Sequence, residues 1–303
     1  MQNPTPIETL SAADLAQLKR RATRLRRHML TMAAGRGQGY LGQGLGIADL
    51  MTALYFHEMK YDPKNPKDPA RDRFVMSTGH YSIALWAALV EAGTLPEAEL
   101  KTYGADDSRF EMSTLDTTPG VEIIGGSLGH GLGQAAGIAL ALKTQKSAAR
   151  VFVELSDGEM QEGSTWEAAM AIPHFRLDNL VALVDCNGIQ ADGPIVLRME
   201  PVAEKWRAFG WEARDIDGND LAAVVDSLHW ARATAGVPHV IVLRTTPGKG
   251  IPTLERREKA HFVRIEPGDW DEFEKEFTAL SDATEAGQEV GQEVGQEVGK
   301  SDR

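Results

Sequence analysis

One cysteine stands among 303 residues, so no internal disulfide can form, and no apolar run reaches the roughly 20 residues of a membrane-spanning helix. Positive charge is also scarce: 32 Lys and Arg against 44 Asp and Glu leave a net charge of −12. Such a balance argues against a nucleic-acid or acidic-membrane partner, because nothing offsets phosphate repulsion across a broad surface. The N-terminal stretch places Glu8 and Asp14 ahead of its arginines and lacks an apolar core followed by a small-residue cleavage site. Neither export nor organelle import is indicated, and a cytoplasmic protein is the expectation. No glycine fingerprint follows a first strand with an acid at the required distance, which sets aside a dinucleotide-binding Rossmann protein. Cys186 has no His or Lys beside it in sequence and reads as a small packed thiol.

The hydrophobic content, 42%, suffices for a sizeable core. A helix is expected over 11–33, opened by Ser11 with Asp14 three positions on. Its basic cluster, Lys19 to Arg21 and Arg24 to Arg27, alternates with Leu18, Ala22, Leu25 and Met29 and reads as a solvated helix face. The glycine-rich run 35–46 reads as a loop lying close to a ligand, feeding a helix from Ala48 to His57. A proline-punctuated surface loop follows at 62–69. A glycine turn at Gly125 leads into a helix running to Lys143, whose glycines allow close approach of a neighbouring helix or cofactor. Strands are expected at 74–76, 151–155, 180–185 and 239–244, with a helix at 220–235 between the last two. That alternation implies an α/β fold, a parallel sheet flanked by helices on both faces, with its ligand beyond the carboxyl ends of the strands. Residues 1–280 form one domain in this reading. Residues 281–303, with repeated Gly-Gln-Glu-Val, form a disordered low-complexity tail.

The most telling stretch is Ser156-Asp157-Gly158-Glu159, delivered by Val151 to Leu155, together with Asn187-Gly188-Ile189, delivered by Leu180 to Val184. Thirty positions separate Asp157 from Asn187 (187 − 157 = 30), about the length of one βαβ crossover. Both side chains would then emerge at one edge of the sheet. Hard cations such as Mg²⁺ or Ca²⁺ take oxygen ligands, and Mg²⁺ takes few of them from protein. Asp157, Asn187 and the Ile189 carbonyl would hold such a cation and leave room for two diphosphate oxygens. A bare strand-turn-helix with an N-terminal Asp is the plainer alternative, and the second half of the motif weighs against it.

With these residues in view the chain resembles the N-terminal half of transketolases, in particular the separate N-terminal subunit of split enzymes. Matching segments are Ile47 to Asp49, Ala53 to His57, Asp72 to His80, Pro119 to Glu122, Gly126 to Gly129, the Asp157/Asn187 motif and Lys259 to His261. The resemblance implies thiamine diphosphate as cofactor and transfer of a two-carbon ketol unit from a ketose to an aldose or aldehyde. It implies catalytic and cofactor or substrate contacts at His80 and His261, and backbone contacts to the cofactor at Gly126, Leu128 and Gly158. Glu162 matches an acid that the family uses across an interface between subunits. The family's activating glutamate lies on a pyrimidine-binding domain that has no match here, so a separate C-terminal transketolase subunit, in an α2β2 assembly, is the expected partner. Three departures stand out. Tyr40 and Met112 take the places of family histidines in the substrate channel, and Ser156 that of the first glycine of the motif. A phenol and a thioether cannot do the phosphate-binding work of imidazole, so a sugar or sugar phosphate outside the usual set is expected. His130 differs as well, where Gln is common. Two alternatives remain: a thiamine-dependent 2-oxo acid dehydrogenase or decarboxylase component, and a non-catalytic regulatory homologue.

Overall fold

The structure is a computed structural model; it describes residues 10–191 and 193–287. Its helices are α1 Ala12–Arg36, α2 Leu41–Gly46, α3 Ala48–Ala53, α4 Ser82–Ala92, α5 Gly131–Thr144, α6 Gly163–His174, α7 Val202–Ala208, α8 Leu221–Ala233, α9 Pro252–Glu255 and α10 Asp269–Glu285. Its strands are β1 Gln38–Gly39, β2 Arg73–Met76, β3 Val151–Ser156, β4 Leu180–Cys186, β5 Ile189–Gln190, β6 Gly193–Pro194, β7 Glu212–Asp217, β8 His239–Arg244 and β9 Val263–Arg264.

β3, β4 and β8 are runs of apolar residues rather than alternating ones, as strands covered on both faces must be. With β2 and β7 they make a parallel sheet in the order β2-β3-β4-β8-β7. Successive side chains divide between its faces. Phe74, Phe152, Val181, Leu183 and Ile241 pack against α1, α3, α4 and α8. Val75, Val153, Ala182, Val184 and Val242 pack against α5, α6 and α7. The expected fold class holds: one parallel sheet, helices on both faces.

α1 begins as its sequence predicts, with Ser11 Oγ accepting the Asp14 N–H at 3.1 Å. Its basic cluster is more than a solvated face, however. Arg26 is buried and paired with Asp49 at 2.6 Å, Arg24 reaches Glu91, and Arg27 reaches Glu274 on α10. The glycine run is not a loop throughout: Gln38–Gly39 pairs antiparallel with Val263–Arg264, and 41–46 is helical. Glycine is required there for packing, since a Cβ on Gly42 would lie 2.1 Å from the Ala260 carbonyl oxygen. The expected 48–57 helix changes at Leu54 into a π-helical turn, Leu54–Glu58. β7 precedes α8, so the helix expected between β4 and β8 lies between β7 and β8 instead. α10 runs past position 280, to Glu285. The remainder of the expected tail, 288–303, lies outside the described residues.

Candidate functional site

The carboxyl ends of β2, β3, β4 and β8 lie side by side, and Ser77, Asp157, Asn187 and Thr245 are the residues that follow them. Parallel register does this without long-range instruction: Ser156 sits opposite Asp185, so the next turns of the two strands emerge together.

The first part of the site surrounds Asp157. Its carboxyl accepts the Gly158 and Gly188 N–H groups, each at 2.8 Å. Asn187 Nδ2 donates to Asp185 at 2.6 Å and to the Tyr81 hydroxyl at 2.9 Å, and its Oδ1 accepts the Ile189 N–H at 3.0 Å. Those bonds fix which way the Asn187 amide points. Gly158 lies beside Gln190, and Ile189 pairs with Pro194 in the short β5–β6 ribbon. Asp157, Asn187 and Gly188 line a cavity of about 370 Å³. Two of the three expected metal ligands, Asp157 and Asn187, thus face one cavity, and Ile189 follows two positions after Asn187.

Burial pushes the Asp157 carboxyl up to about 7, with the Asp185 charge adding to the effect against the two backbone donors. Asp185, wholly buried, is pushed up to about 6. Glu154 and Glu159, also wholly buried, are raised by the same cause. Among the described residues no cationic side chain pairs with Asp157, and the nearby Arg244 guanidinium is held by Asp215 and Glu200. Buried acids at a sheet edge without a counter-charge are costly, and a divalent cation would relieve that cost. The set of a carboxylate, a carboxamide oxygen and a backbone carbonyl suits Mg²⁺ or Ca²⁺.

The second part is a cavity of about 610 Å³ lined by Tyr40, His80, Met112, Gly126, Leu128 and His261, with Glu111 and Phe262 beside them. Of the residues expected to touch cofactor or substrate, His80, His261, Gly126, Leu128, Tyr40 and Met112 line this one space, whereas Gly158 and Asn187 do not. Burial, with His261 beside it, pushes His80 down to about 3, so the ring is neutral in ordinary buffers. His80 Nε2 is buried and has no hydrogen-bond partner among the described residues. The Gln43 side chain holds His261 at Nδ1. Tyr40 stands edge-on to His80 and His261, with centroids at 4.8 and 5.6 Å.

Tyr81 joins the two parts. Its ring lies 4.8 Å from His80, and its hydroxyl donates to Asp185 at 2.9 Å while accepting from Asn187. Nothing in the sequence pattern distinguished it, because its partner acid lies at separation 104. Gly79 and Gly125 meet backbone to backbone, a Cβ on either falling 2.4 to 2.5 Å from the other, which fixes the 125–129 segment against the Ser77 to His80 turn. Glu122 pairs with Arg71 and Arg73 away from the cavity, and Glu162 is exposed at the start of α6. The α5 glycines behave in two ways: Gly131 is crowded by Ser77, whereas Gly133 and Gly137 face open space. Cys186 is buried, and its thiol is raised by burial, as expected of a packed group.

A family described as transketolase, thiamine diphosphate binding domain, matches residues 19–300. An uncharacterized transketolase family protein of Sinorhizobium fredii is 53% identical over 259 residues, 84% of this chain and 93% of that one. An apulose-4-phosphate transketolase subunit from Actinobacillus succinogenes is 38% identical, across 84% of this chain and 92% of that one. A 6-deoxy-6-sulfo-D-fructose transketolase subunit from a Clostridium species is 36% identical, across 84% and 93%. The solved transketolase of Campylobacter jejuni superposes with a TM-score of 0.79 and 29% identity, over 89% of this chain and 46% of that one; the chain spans just under half of that enzyme's length.

Proposed function

We propose, since this chain belongs to the transketolase family and carries its thiamine diphosphate-binding domain, that it is the N-terminal subunit of a two-chain enzyme that moves a two-carbon ketol unit from a ketose to an aldose or aldehyde. The observation that carries this reading is the single sheet edge that brings Asp157, Asn187 and the His80 cavity together. Asp157, Asn187 and the Ile189 carbonyl would hold Mg²⁺ or Ca²⁺ against the diphosphate, with the Gly158 backbone beside Asp157 as a further cofactor contact. Thiamine diphosphate, when bound, supplies the nucleophilic carbon that takes up and passes on the ketol unit.

The chain's own groups do the rest. Neutral His80 is available as a hydrogen-bond donor or acceptor rather than as a charge. Gln43 orients His261 towards the same cavity. Gly126 and Leu128 line the same cavity and could offer backbone groups to a ligand. Tyr40 and Met112 line the remaining space and favour stacking and apolar contact over anion binding.

Relatives of similar length are named as transketolase subunits, which supports a separate C-terminal partner bearing the activating glutamate, in an α2β2 assembly. The substrates in those names, a 4-phosphorylated apulose and a 6-sulfonated deoxyfructose, support a ketose outside the usual pair for this chain as well. A cytoplasmic setting fits the single cysteine, and no helix among the described residues is long and apolar enough to cross a membrane.

The test mixes the purified chain with its C-terminal partner, thiamine diphosphate and Mg²⁺. Ketol transfer is then followed from xylulose 5-phosphate and from branched or modified ketoses, in wild type and Tyr40→His. Transfer should require both chains and favour a modified ketose, and Tyr40→His should shift kcat/KM towards the standard sugar phosphates. CO₂ release from a 2-oxo acid, or full activity of this chain alone, would overturn the proposal.

A further inference from the structure

The two parts of the site are joined by more than Tyr81. Ser156 and Glu159 have the spacing of a helix capping box, in which the serine hydroxyl accepts the N–H three residues on and the acid reaches back to the serine N–H. The first half is present, with Ser156 Oγ accepting the Glu159 N–H at 3.1 Å. The acid, however, is turned elsewhere. Its carboxyl accepts the Gly129 N–H at 2.7 Å, at separation 30, and the Ser77 hydroxyl, at separation 82. Ser77 Oγ in turn accepts the Gly131 N–H at 3.0 Å. One buried carboxyl therefore satisfies donors at the entry to α5 and in the turn after β2, both otherwise left unpaired away from water.

The segments so held have little freedom. A Cβ on Gly129 would lie 2.5 Å from Ser164 Oγ, and one on Gly131 2.2 Å from Ser77 Oγ. Gly126 and Leu128, a few positions upstream, line the His80 cavity, while Asp157 is two positions before Glu159.

We infer that Glu159 is a positioning residue: its carboxyl sets the distance between the Asp157/Asn187 cation site and the Gly126 to Gly129 wall of the His80 cavity, so that one ligand spans both. The inference rests on the proposed thiamine diphosphate site and adds to it a residue that touches neither cofactor nor metal.

The test compares Glu159→Ala, Glu159→Gln and Ser77→Ala with wild type in two measurements. Affinity for thiamine diphosphate with Mg²⁺ is measured by calorimetry on the chain with its partner, well below each variant's Tm. Exchange of the Gly129 and Gly131 amides is measured on the chain without cofactor. Glu159→Ala should weaken cofactor binding on the order of 10–100-fold, as loss of outer-shell partners does at metal sites, and should speed Gly129 exchange by a similar factor. Glu159→Gln should restore both to within about threefold of wild type, because its amide oxygen accepts the same bonds. Unchanged affinity and exchange in Glu159→Ala would overturn the inference. A Glu159→Gln loss as deep as that of alanine would also overturn it, since the charge rather than the hydrogen bonds would then be at work. Should Glu159→Ala fail to fold, Ser77→Ala decides: weaker binding with faster Gly131 exchange supports the inference, and no change in either overturns it. A wild-type pair that binds no thiamine diphosphate would instead overturn the proposed function, and Gly129 exchange would still decide whether Glu159 holds the wall.

Discussion

At the scale of the residue, Asp157 shows how burial and function oppose one another. In the metal-free chain its carboxyl is raised from 3.8 to about 7 and that of Asp185 to about 6, so the folded state keeps protons that the unfolded chain releases. That contribution to stability is complete below the unfolded value and is lost as pH rises through the folded values, between about 4 and 7. Cation binding needs the carboxylate and expels the proton, so stabilisation by Mg²⁺ with thiamine diphosphate should grow over the same window. Thermal shifts at about pH 5 and about pH 7.5, with and without Mg²⁺, check this; equal Mg²⁺ shifts at the two pH values would refute it. Asp157→Asn should abolish the Mg²⁺ shift while leaving the metal-free chain at least as stable as wild type. Asp157 and Asn187 stood out in sequence because the spacing of their motif reflects strand and turn geometry, whereas His80 and His261 stood out only through the resemblance of their segments to the transketolase family. Tyr81, Gln43 and Phe262 did not, because they act through neighbours brought in by the fold: Tyr81 through Asp185, Gln43 through His261 at separation 218.

At the scale of the element, the buried strands were plain from their apolar runs. β7, Glu-Ala-Arg-Asp-Ile-Asp, was not: it lies at the sheet edge, where half its residues meet water and no apolar period survives. The helical stretch 41–46 was hidden for a different reason. Its glycines lower helix propensity, yet they are what lets it approach Ala260 and Ile83, so tertiary contact outweighs local preference. Glycine's two uses give a paired prediction. Gly79→Ala places a Cβ 2.5 Å from the backbone of Gly125 and Gly126. It should cost about 1–3 kcal/mol in denaturant unfolding, as overpacking does, and weaken cofactor binding. Gly133→Ala points into open space inside α5 and should stabilise the isolated chain by about 0.5–1 kcal/mol. If the two substitutions had equal effects, packing would not be the reason for either glycine.

At the scale of the whole molecule, two apolar layers lie on the two faces of one sheet, and the functional groups gather along its carboxyl edge. α10 belongs to this body: Phe273 and Phe277 are buried, and Arg27 of α1 stacks on the Phe277 ring at 4.2 Å. Phe273→Ala should therefore cost about 3–5 kcal/mol by chemical denaturation, whereas removal of 288–303 should leave Tm nearly unchanged. A Tm loss of several degrees on that truncation would mean that the repeats dock on the domain.

The pairing of α1 with α10 also bears on how the chain is made. Thr23 meets Thr284 at 3.3 Å across a separation of 261 residues, and Arg27 meets Glu274 across 247. α1 leaves the ribosome well before α10, the helix that covers part of it. A nascent chain would hold that face of α1 exposed throughout synthesis of the sheet, a span of about 10 to 60 seconds at ordinary elongation rates of 5–20 residues per second. Closure of that face would come late, by long-range docking rather than local coiling, and until then its apolar residues would be open to chaperones.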